Sequence, residues 1–385
     1  MARSFDVVVV GAGLIGLFAA WNLARRGRRV LVAERGTVAC GTTGASFAWL
    51  NGTSKTEPDY HRINAEGLAR HLELARLWGE RTMGMGGAGN LTWSEPTSAI
   101  TLDELRSQAK ALKELDYPCI WLDRSELIAL EPRVAFGEAA QGMFTPRDRW
   151  LDAPILARHL AREIAAAGGE VREGAPVSAL DRDGTGAIRG LMIAGEAIAC
   201  AQVLLAAGPG TAEAIAMAGE EAAALVPVRR VPGLLVTLPG DAARTIVNHI
   251  IYAPDAGNFH IRPMSDGNLL LGDDVIDAMV GDGSDPTLLP AATRALLEVA
   301  AGHLPDLSVD DLLPVARAAV GVRPVPGDGR TIAGALPPVP GLFVAATHSG
   351  ITLAPLLGEA LAAEMIDGAR EPLLANFRPE RFAGA

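Results

Sequence analysis

The turn Gly11-Ala12-Gly13-Leu14-Ile15-Gly16 and the acid Glu34 are the residues whose type and spacing most directly specify a chemistry. The turn follows the run Phe5 to Val10, apolar and β-branched but for Asp6, which reads as a buried parallel strand. It opens a helical stretch, Leu14 to Arg26, that Gly27 ends. Arg29 to Ala33 is a second strand, and Glu34 closes it. This is a βαβ unit with the full dinucleotide fingerprint. Gly11 permits the tight turn, Gly13 lets the backbone approach a pyrophosphate, and Gly16 lets helix and strand pack closely. Leu14 and Ile15 place N–H groups at the helix N-terminus, where an anion is welcome. Glu34 can accept from both ribose hydroxyls, and its charge disfavours a 2′-phosphate. The chemistry implied is redox. The fingerprint alone leaves nicotinamide and flavin dinucleotides open.

Three further segments bear on that choice. Small residues and hydroxyls follow Glu34: Arg35-Gly36, then Cys40-Gly41-Thr42-Thr43-Gly44-Ala45-Ser46. Ala206-Ala207-Gly208-Pro209-Gly210 ends a late strand, and Thr347-His348-Ser349-Gly350-Ile351-Thr352-Leu353-Ala354-Pro355 opens the last helix. With the fingerprint, these segments resemble the D-amino-acid oxidase / glycine oxidase / sarcosine oxidase family of FAD-dependent flavoproteins. The resemblance covers essentially the whole chain, most specifically the first fifty residues, Asp152 to Gly210, and Ala319 to Gly368.

The resemblance implies site residues. Arg35 lies near the adenosine. Thr42, Thr43, Ala45 and Ser46 wrap the pyrophosphate and flavin. Val177 meets the adenine through its backbone, and Gly208 belongs to the cofactor-lining turn. Gly350, Ile351 and Thr352 point N–H groups at the flavin's N1–C2=O edge, where a helix N-terminus stabilises the reduced anion. Thr347 stands where the family more often has Gly. Sarcosine-oxidase-like members carry a flavin-linking Cys just before the segment that is Arg323-Pro324 here, but this chain has Gly321 and Val322. Histidine-linked members carry a His where this chain reads Gly44 to Trp49, without one. Non-covalent FAD is therefore expected.

On the substrate side, Arg323 occupies the position that binds the substrate carboxylate in glycine and D-amino-acid oxidases. A guanidinium fork suits a carboxylate; a structural Arg paired with an internal acid is the alternative. His260, in the strand with Arg262 and Pro263, and His348, beside the flavin, are candidate catalytic groups. Each could equally be a packed histidine. Trp49, Tyr252 and Phe259 are candidates to shape the pocket. The reaction implied is oxidation of a C–N bond in an amino acid or secondary amine, with oxygen or a carrier as electron acceptor. A 2-hydroxy-acid oxidase, an NAD(P)-dependent dehydrogenase, and an FAD-carrying subunit of a hetero-oligomer remain alternatives.

The elements that must position these groups make an α/β chain: a Rossmann-like FAD-binding domain with a mixed or antiparallel-sheet α+β substrate domain. The expected cofactor domain is discontinuous, 1–80, 151–220 and 320–385, with 81–150 and 221–319 forming the substrate domain. Helices are expected over His61 to Trp78, Leu102 to Leu115, a short one at Arg124-Ser125-Glu126-Leu127 with Ser125 as a possible cap, Pro154 to Ala167, Pro290 to Gly302 and Thr352 to Ile366. Met83 to Asn90 reads as a loop. Strands are expected at Val203 to Ala207, Leu225 to Leu238, Thr245 to Ile251, His260 to Pro263, Asn268 to Leu271, Arg317 to Arg323 and Leu342 to Ala346. Ile188 to Ile193 and Glu196 to Ala199 form a hairpin.

At 385 residues, 49% hydrophobic and 21% charged, the chain can bury a large core. A formal charge of -11 argues against nucleic acid as partner. Cys40, Cys119 and Cys200 are too dispersed for a disulfide framework or a metal site, so reduced thiols in a cytoplasm are expected. No run is long and apolar enough for a transmembrane span, and Asp6 with the glycines breaks any signal-peptide core. An oligomer is compatible with all of this.

Overall fold

The computed structural model describes residues 4–87, 89–240, 247–255 and 257–383. A six-stranded sheet runs, in spatial order, through Ile332–Ala335, Leu342–Ala346, Gln202–Leu205, Val7–Val10, Val30–Ala33 and Glu170–Arg172. All its pairs are parallel except the edge pair of Ile332–Ala335 with Leu342–Ala346. Val7–Val10 and Val30–Ala33 are buried throughout, as a sheet covered on both faces requires. The antiparallel strands Val177–Arg182, Ile188–Ile193 and Glu196–Ala199 lie on one face. Helices Leu14–Arg25 and Gly350–Asp367 cover the other.

Those two helices touch at backbone distance. A Cβ added at Gly358 would stand 2.5 Å from Phe18 Cβ and 2.7 Å from the Ala19 nitrogen. The helix Pro58–Trp78 crosses the start of the last helix as closely: a Cβ at Gly67 would lie 2.4 Å from the Thr352 carbonyl oxygen.

An eight-stranded sheet runs Arg317–Pro326, Val228–Leu238, Leu269–Gly272, His260–Pro263, Ile250–Tyr252, Asn90–Ser94, Gln141–Thr145 and Ile120–Leu122. It is antiparallel except where Ile250–Tyr252 lies parallel to Asn90–Ser94. Helix Leu289–His303 packs on it. A small sheet of Trp49–Leu50, Arg149–Leu151 and Met85–Gly86 is the third part of the frame.

Four expectations need amendment. The domain boundary drawn at 320 cuts the strand Arg317–Pro326, which pairs along its length with Val228–Leu238. The short helix Arg124–Leu130 is capped by Asp123, not Ser125: Asp123 accepts from the Glu126 N–H at 3.0 Å, and the Ser125 hydroxyl itself donates to Asp123. The glycine-rich stretch read as a loop contains the strand Met85–Gly86. Of the strand expected at Thr245 to Ile251, residues 245 and 246 lie outside the described residues, and the strand found is Ile250–Tyr252. The strand Asn90–Ser94 was not among the expected elements although its five residues alternate polar and apolar; the fold buries both of its faces, Asn90, Thr92 and Ser94 included.

Candidate active site

One cavity of about 700 Å³ joins the glycine turn to the start of the last helix. Its cofactor end is built by backbone. Gly11 adopts φ +107°, and a Cβ there would meet the Ala206 carbonyl oxygen at 2.5 Å. A Cβ at Gly16 would lie 2.1 Å from the Gly11 oxygen, which fixes how closely helix and strand pack. Gly13 is different: an added Cβ would meet only the Thr43 hydroxyl, so this face is open to a ligand. Among the described residues, the N–H groups of Gly13 and Ile15 have no protein partner. The Leu14 N–H donates to Thr43 Oγ1 at 3.2 Å, so Leu14 lines the cavity with its donor already engaged.

Glu34 is buried at the end of its strand, and its carboxylate shapes the turn. Its Oε2 accepts from the Ala12 N–H at 2.9 Å, and its Oε1 from the Gly36 N–H at 2.8 Å and the Cys40 thiol at 3.5 Å, so Oε2 keeps a lone pair for a hydroxyl. Arg35, Val177 and Gly208 line the same end, and Gly208 takes φ +54°. The hydroxyl segment reaches across to the eight-stranded sheet. The Thr42 hydroxyl donates to the Val322 carbonyl, and Ser46 Oγ accepts from the Ala48 N–H at 3.1 Å. Ala45 packs its carbonyl on Gly321, where a Cβ would stand 2.0 Å from that oxygen.

At the far end, the last helix begins with N–H groups of Gly350, Ile351 and Thr352 that have no partner among the described residues. The helix start is held from behind. Pro355 lacks the N–H that would bond to the Ile351 carbonyl. His71 Nε2 donates to that carbonyl instead, at 2.9 Å. Full burial pushes the His71 imidazole down to about 4, so it is neutral and its Nδ1 carries no proton. The Thr352 hydroxyl donates to the Trp49 carbonyl at 3.2 Å.

The wall opposite is aromatic and charged. Trp49 lies on Tyr252 with ring centroids 4.5 Å apart, and Tyr252 stacks on His260 at 5.0 Å. His260 is buried and bonds Nδ1 to the Asn258 carbonyl at 2.7 Å; burial pushes its pKa down. Phe259 is buried in the core and does not line the cavity. Arg262 is buried too, donating to the Phe47 carbonyl at 2.6 Å and to Asp152 at 3.1 Å. It ties the strand His260–Pro263 to the hydroxyl segment. His348 is exposed on the wall of the cavity, with protein packed around it. Burial, then the charges of Lys55 and Arg323, push it down to about 4.

Arg323 lines the cavity with its fork engaged. Nη2 donates to Asp277 at 2.5 Å and to the Pro232 carbonyl at 3.0 Å, and Nε reaches the Val231 carbonyl at 3.4 Å. Asp274 stands 3.5 Å from Nη1. Asp277 also accepts from the Leu234 N–H at 2.7 Å. Burial raises the Asp277 carboxyl despite the arginine that pulls it down.

Sequence reasoning missed Lys55, Asp274, Asp277 and Asp148. Lys55 had a signal: the chain holds only three lysines, and one follows the hydroxyl segment. Asp148 had none. It is fully buried and accepts from Trp49 Nε1 at 2.9 Å, Thr53 at 2.8 Å, Thr145 at 3.1 Å and Tyr117. It therefore sets the position of Trp49.

A Rossmann-like sheet with the dinucleotide turn, opening through one cavity onto a sheet wall, defines a dinucleotide-dependent oxidoreductase. The chain matches the FAD dependent oxidoreductase family over residues 6–364 and belongs to it. It is 30% identical to a glycine oxidase of Pseudomonas aeruginosa over 381 residues, 96% of each chain. It is 29% identical to the glycine oxidase of Geobacillus kaustophilus over 375 residues, 95% of this chain and 94% of that one. The crystal structure of glycine oxidase from Geobacillus kaustophilus superposes with a TM-score of 0.81 at 27% identity, covering 98% of this chain and 99% of that one. One of the subunits of an opine oxidase from Agrobacterium tumefaciens is 26% identical over 98% of this chain and 97% of its own length. The protein is thus an FAD-dependent enzyme of this family, and no helix among its described residues is long and apolar enough to cross a membrane.

Proposed function

We propose that the chain oxidises the C–N bond of an amino acid or secondary amine. FAD, when bound, would supply the two-electron acceptor for the hydride lost from the carbon beside nitrogen to flavin N5, and the imine left on the substrate would hydrolyse. The observation that carries this reading is the row of unpartnered N–H groups at Gly350, Ile351 and Thr352, in one cavity with the glycine turn. A helix N-terminus there favours negative charge on whatever edge it faces. His71 and Thr352 hold that row in place through the Ile351 and Trp49 carbonyls. Gly13, Ile15 and Glu34 would hold the pyrophosphate and ribose, with Arg35 and Val177 toward the adenine. The stack Trp49–Tyr252–His260 walls the space for the reacting carbon and excludes water from it.

The flavin is non-covalent in this reading. Gly321, beside the position where related enzymes carry a linking Cys, is pressed on the Ala45 carbonyl with no room for a side chain. The cofactor unit takes 1–80, 151–220 and the chain beyond Pro326, with 81–150 and the strands between as the substrate unit. Three unpaired thiols suit a cytoplasmic location.

The test is the visible spectrum of purified protein before and after anaerobic addition of an amine panel and a 2-hydroxy-acid panel. Flavin bands bleached by an amine support the reading. Bleaching by hydroxy acids alone replaces it. The similarity to a chain named as an oxidase subunit favours one second reading, an FAD-carrying subunit. Under it, flavin is present, nothing bleaches it, and a second chain co-purifies.

A further inference from the structure

The cavity contains two charges that the amine-oxidation reading leaves unused. The first is Lys55. It lines the cavity, and among the described residues no carboxylate lies within ion-pair distance of its Nζ. Its neighbour is the Tyr60 ring, 5.8 Å from Nζ to centroid, and the Tyr60 hydroxyl lies 3.1 Å from Ser349 Oγ. Lys55 therefore stands beside the segment that begins the last helix. Burial lowers its pKa, the mark of an ammonium partly stripped of water without a partner.

The second is the acid pair around Arg323. A carboxylate grips a guanidinium through two parallel N–H groups. Nε and both hydrogens of Nη2 are already donated to Val231, Pro232 and Asp277, so neither edge of the fork offers two free donors. Gly233 makes room for this arrangement: a Cβ there would lie 2.9 Å from Asp277 and 3.1 Å from Arg323 Nη2. Asp277 is consumed by it. Asp274 is not. Its side chain is half exposed, lines the cavity, and has only the long Asn258 bond at 3.3 Å besides Arg323. Two aspartates and one arginine leave this wall with a net negative charge.

We infer that the pocket takes a substrate charged at both ends, with a carboxylate toward Lys55 and a basic group, an ammonium or guanidinium, toward Asp274. The inference rests on the amine-oxidation reading for the reaction. It goes further by naming an amino carboxylate with a remote cation as the substrate class. Arg323 is then a positioning residue that holds Asp277 and presents Asp274.

The experiment uses the FAD-loaded enzyme, with lysine, arginine, norleucine, glutamate, cadaverine and agmatine as probes, the amino acids in both hands. Flavin reduction gives KM and kcat, and the shift of the flavin absorption at equilibrium gives binding without turnover. For wild type, lysine or arginine is expected to show a KM about tenfold or more below norleucine, as one charge-assisted contact supplies. Asp274→Asn, with Asp274→Ser as a second variant, reduces that ratio to about threefold or less. Lys55→Met raises the KM for lysine or arginine about tenfold with a smaller change in kcat and erases the preference over cadaverine or agmatine, and Lys55→Arg restores part of it. Retained FAD spectra in each variant exclude unfolding. Norleucine or glutamate matching the basic amino acids in wild type overturns the inference. So does a carboxylate preference that survives Lys55→Met but is lost in Arg323→Lys. If no amine bleaches the flavin, the reaction assigned above fails. The equilibrium shifts still decide the pocket: tighter binding of the basic carboxylates upholds it, and equal binding overturns it.

Discussion

The two ends of the cavity recognise by different means. At the glycine turn, recognition is backbone. Free N–H groups at Gly13 and Ile15 and a carboxylate that also braces the turn come from Gly11 to Gly36, a short stretch of chain. At the substrate end, the polar side chains arrive on several separate elements. Lys55 follows the hydroxyl segment, Asp274 and Asp277 follow the strand Leu269–Gly272, Arg323 is in Arg317–Pro326, and His348 precedes the last helix. Backbone recognition needs only a backbone shape, which glycines impose locally. Side-chain recognition depends on which partners the fold delivers, so residue type alone does not give the role. Arg323 shows this: its type suggested a carboxylate anchor, and its neighbours engage the fork.

The contrast is broken most severely at the turn. Gly16→Val would put a branched Cβ 2.1 Å from the Gly11 oxygen. Backbone cannot yield there without opening the helix from the sheet, so a loss of about 3 kcal/mol or more is expected, with loss of bound FAD. Thermal unfolding and the flavin content of the purified variant check it. A variant with normal melting and full flavin would mean that the turn is more pliable than its packing suggests.

The next effect belongs to the substrate end and is a pH effect. Asp148 is fully buried, and burial outweighs its four donors, pushing its carboxyl up to about 6 from an ordinary 3.8. The folded state therefore holds this proton more tightly than the unfolded chain. The stabilisation is complete below about pH 4 and is lost as the pH rises through about 6. Asp148→Asn lacks this slope. Relative to wild type, the variant should gain about 3 kcal/mol between pH 4 and pH 7 in denaturant unfolding. A relative loss over that interval would show instead that the bonds from Trp49, Thr53, Thr145 and Tyr117 make the ionised form the better one.

How much of this the sequence disclosed follows the same division. The βαβ unit, the hairpin Ile188–Ile193 with Glu196–Ala199 and the closing helix were legible because apolar periodicity and glycine punctuation are local signals. The strands Asn90–Ser94 and Gln141–Thr145 were not, because polar residues there are buried in register with partners distant in sequence. Glu34 was legible from its distance to the turn. Asp148 was invisible, since nothing near Pro146-Arg147-Asp148 foretells that Trp49, Thr53 and Tyr117 converge on it. His71 was likewise hidden: only the fold brings it to the carbonyl that Pro355 leaves without a donor.

Arg323 gives the next, smaller effect. Arg323→Gln removes the partner of Asp277, whose side chain is 12% exposed, while the arginine's is 29% exposed. Breaking a buried pair costs about 3–5 kcal/mol, and solvent at the arginine reduces that to about 2 kcal/mol here. Adding Asp277→Asn should recover most of it, since both charges are then gone. Unfolding of the two single variants and the double variant gives the coupling. Additive losses would dissolve the pair as a structural unit and return Arg323 to the role of a free carboxylate anchor.

The smallest effect tests whether the charges at this end are used as charges or as proton carriers. Burial, with Lys55 and Arg323 nearby, holds the His348 imidazole at about 4, so it is neutral from pH 6 to 8 and changes no charge there. An imidazole that does not titrate in that range contributes no step to the pH profile of flavin reduction. His348→Gln should keep the reduction rate within about threefold, and wild type and variant should share one pH profile between pH 5 and 8. The measurement is anaerobic flavin reduction at saturating amine across that range. A step near neutral pH that disappears in the variant would place the imidazole pKa far above 4. Either a better-solvated imidazole or a carboxylate, rather than Lys55, standing closest to it would do that, and the second of these would overturn the arrangement of charge from which the two-ended substrate was inferred.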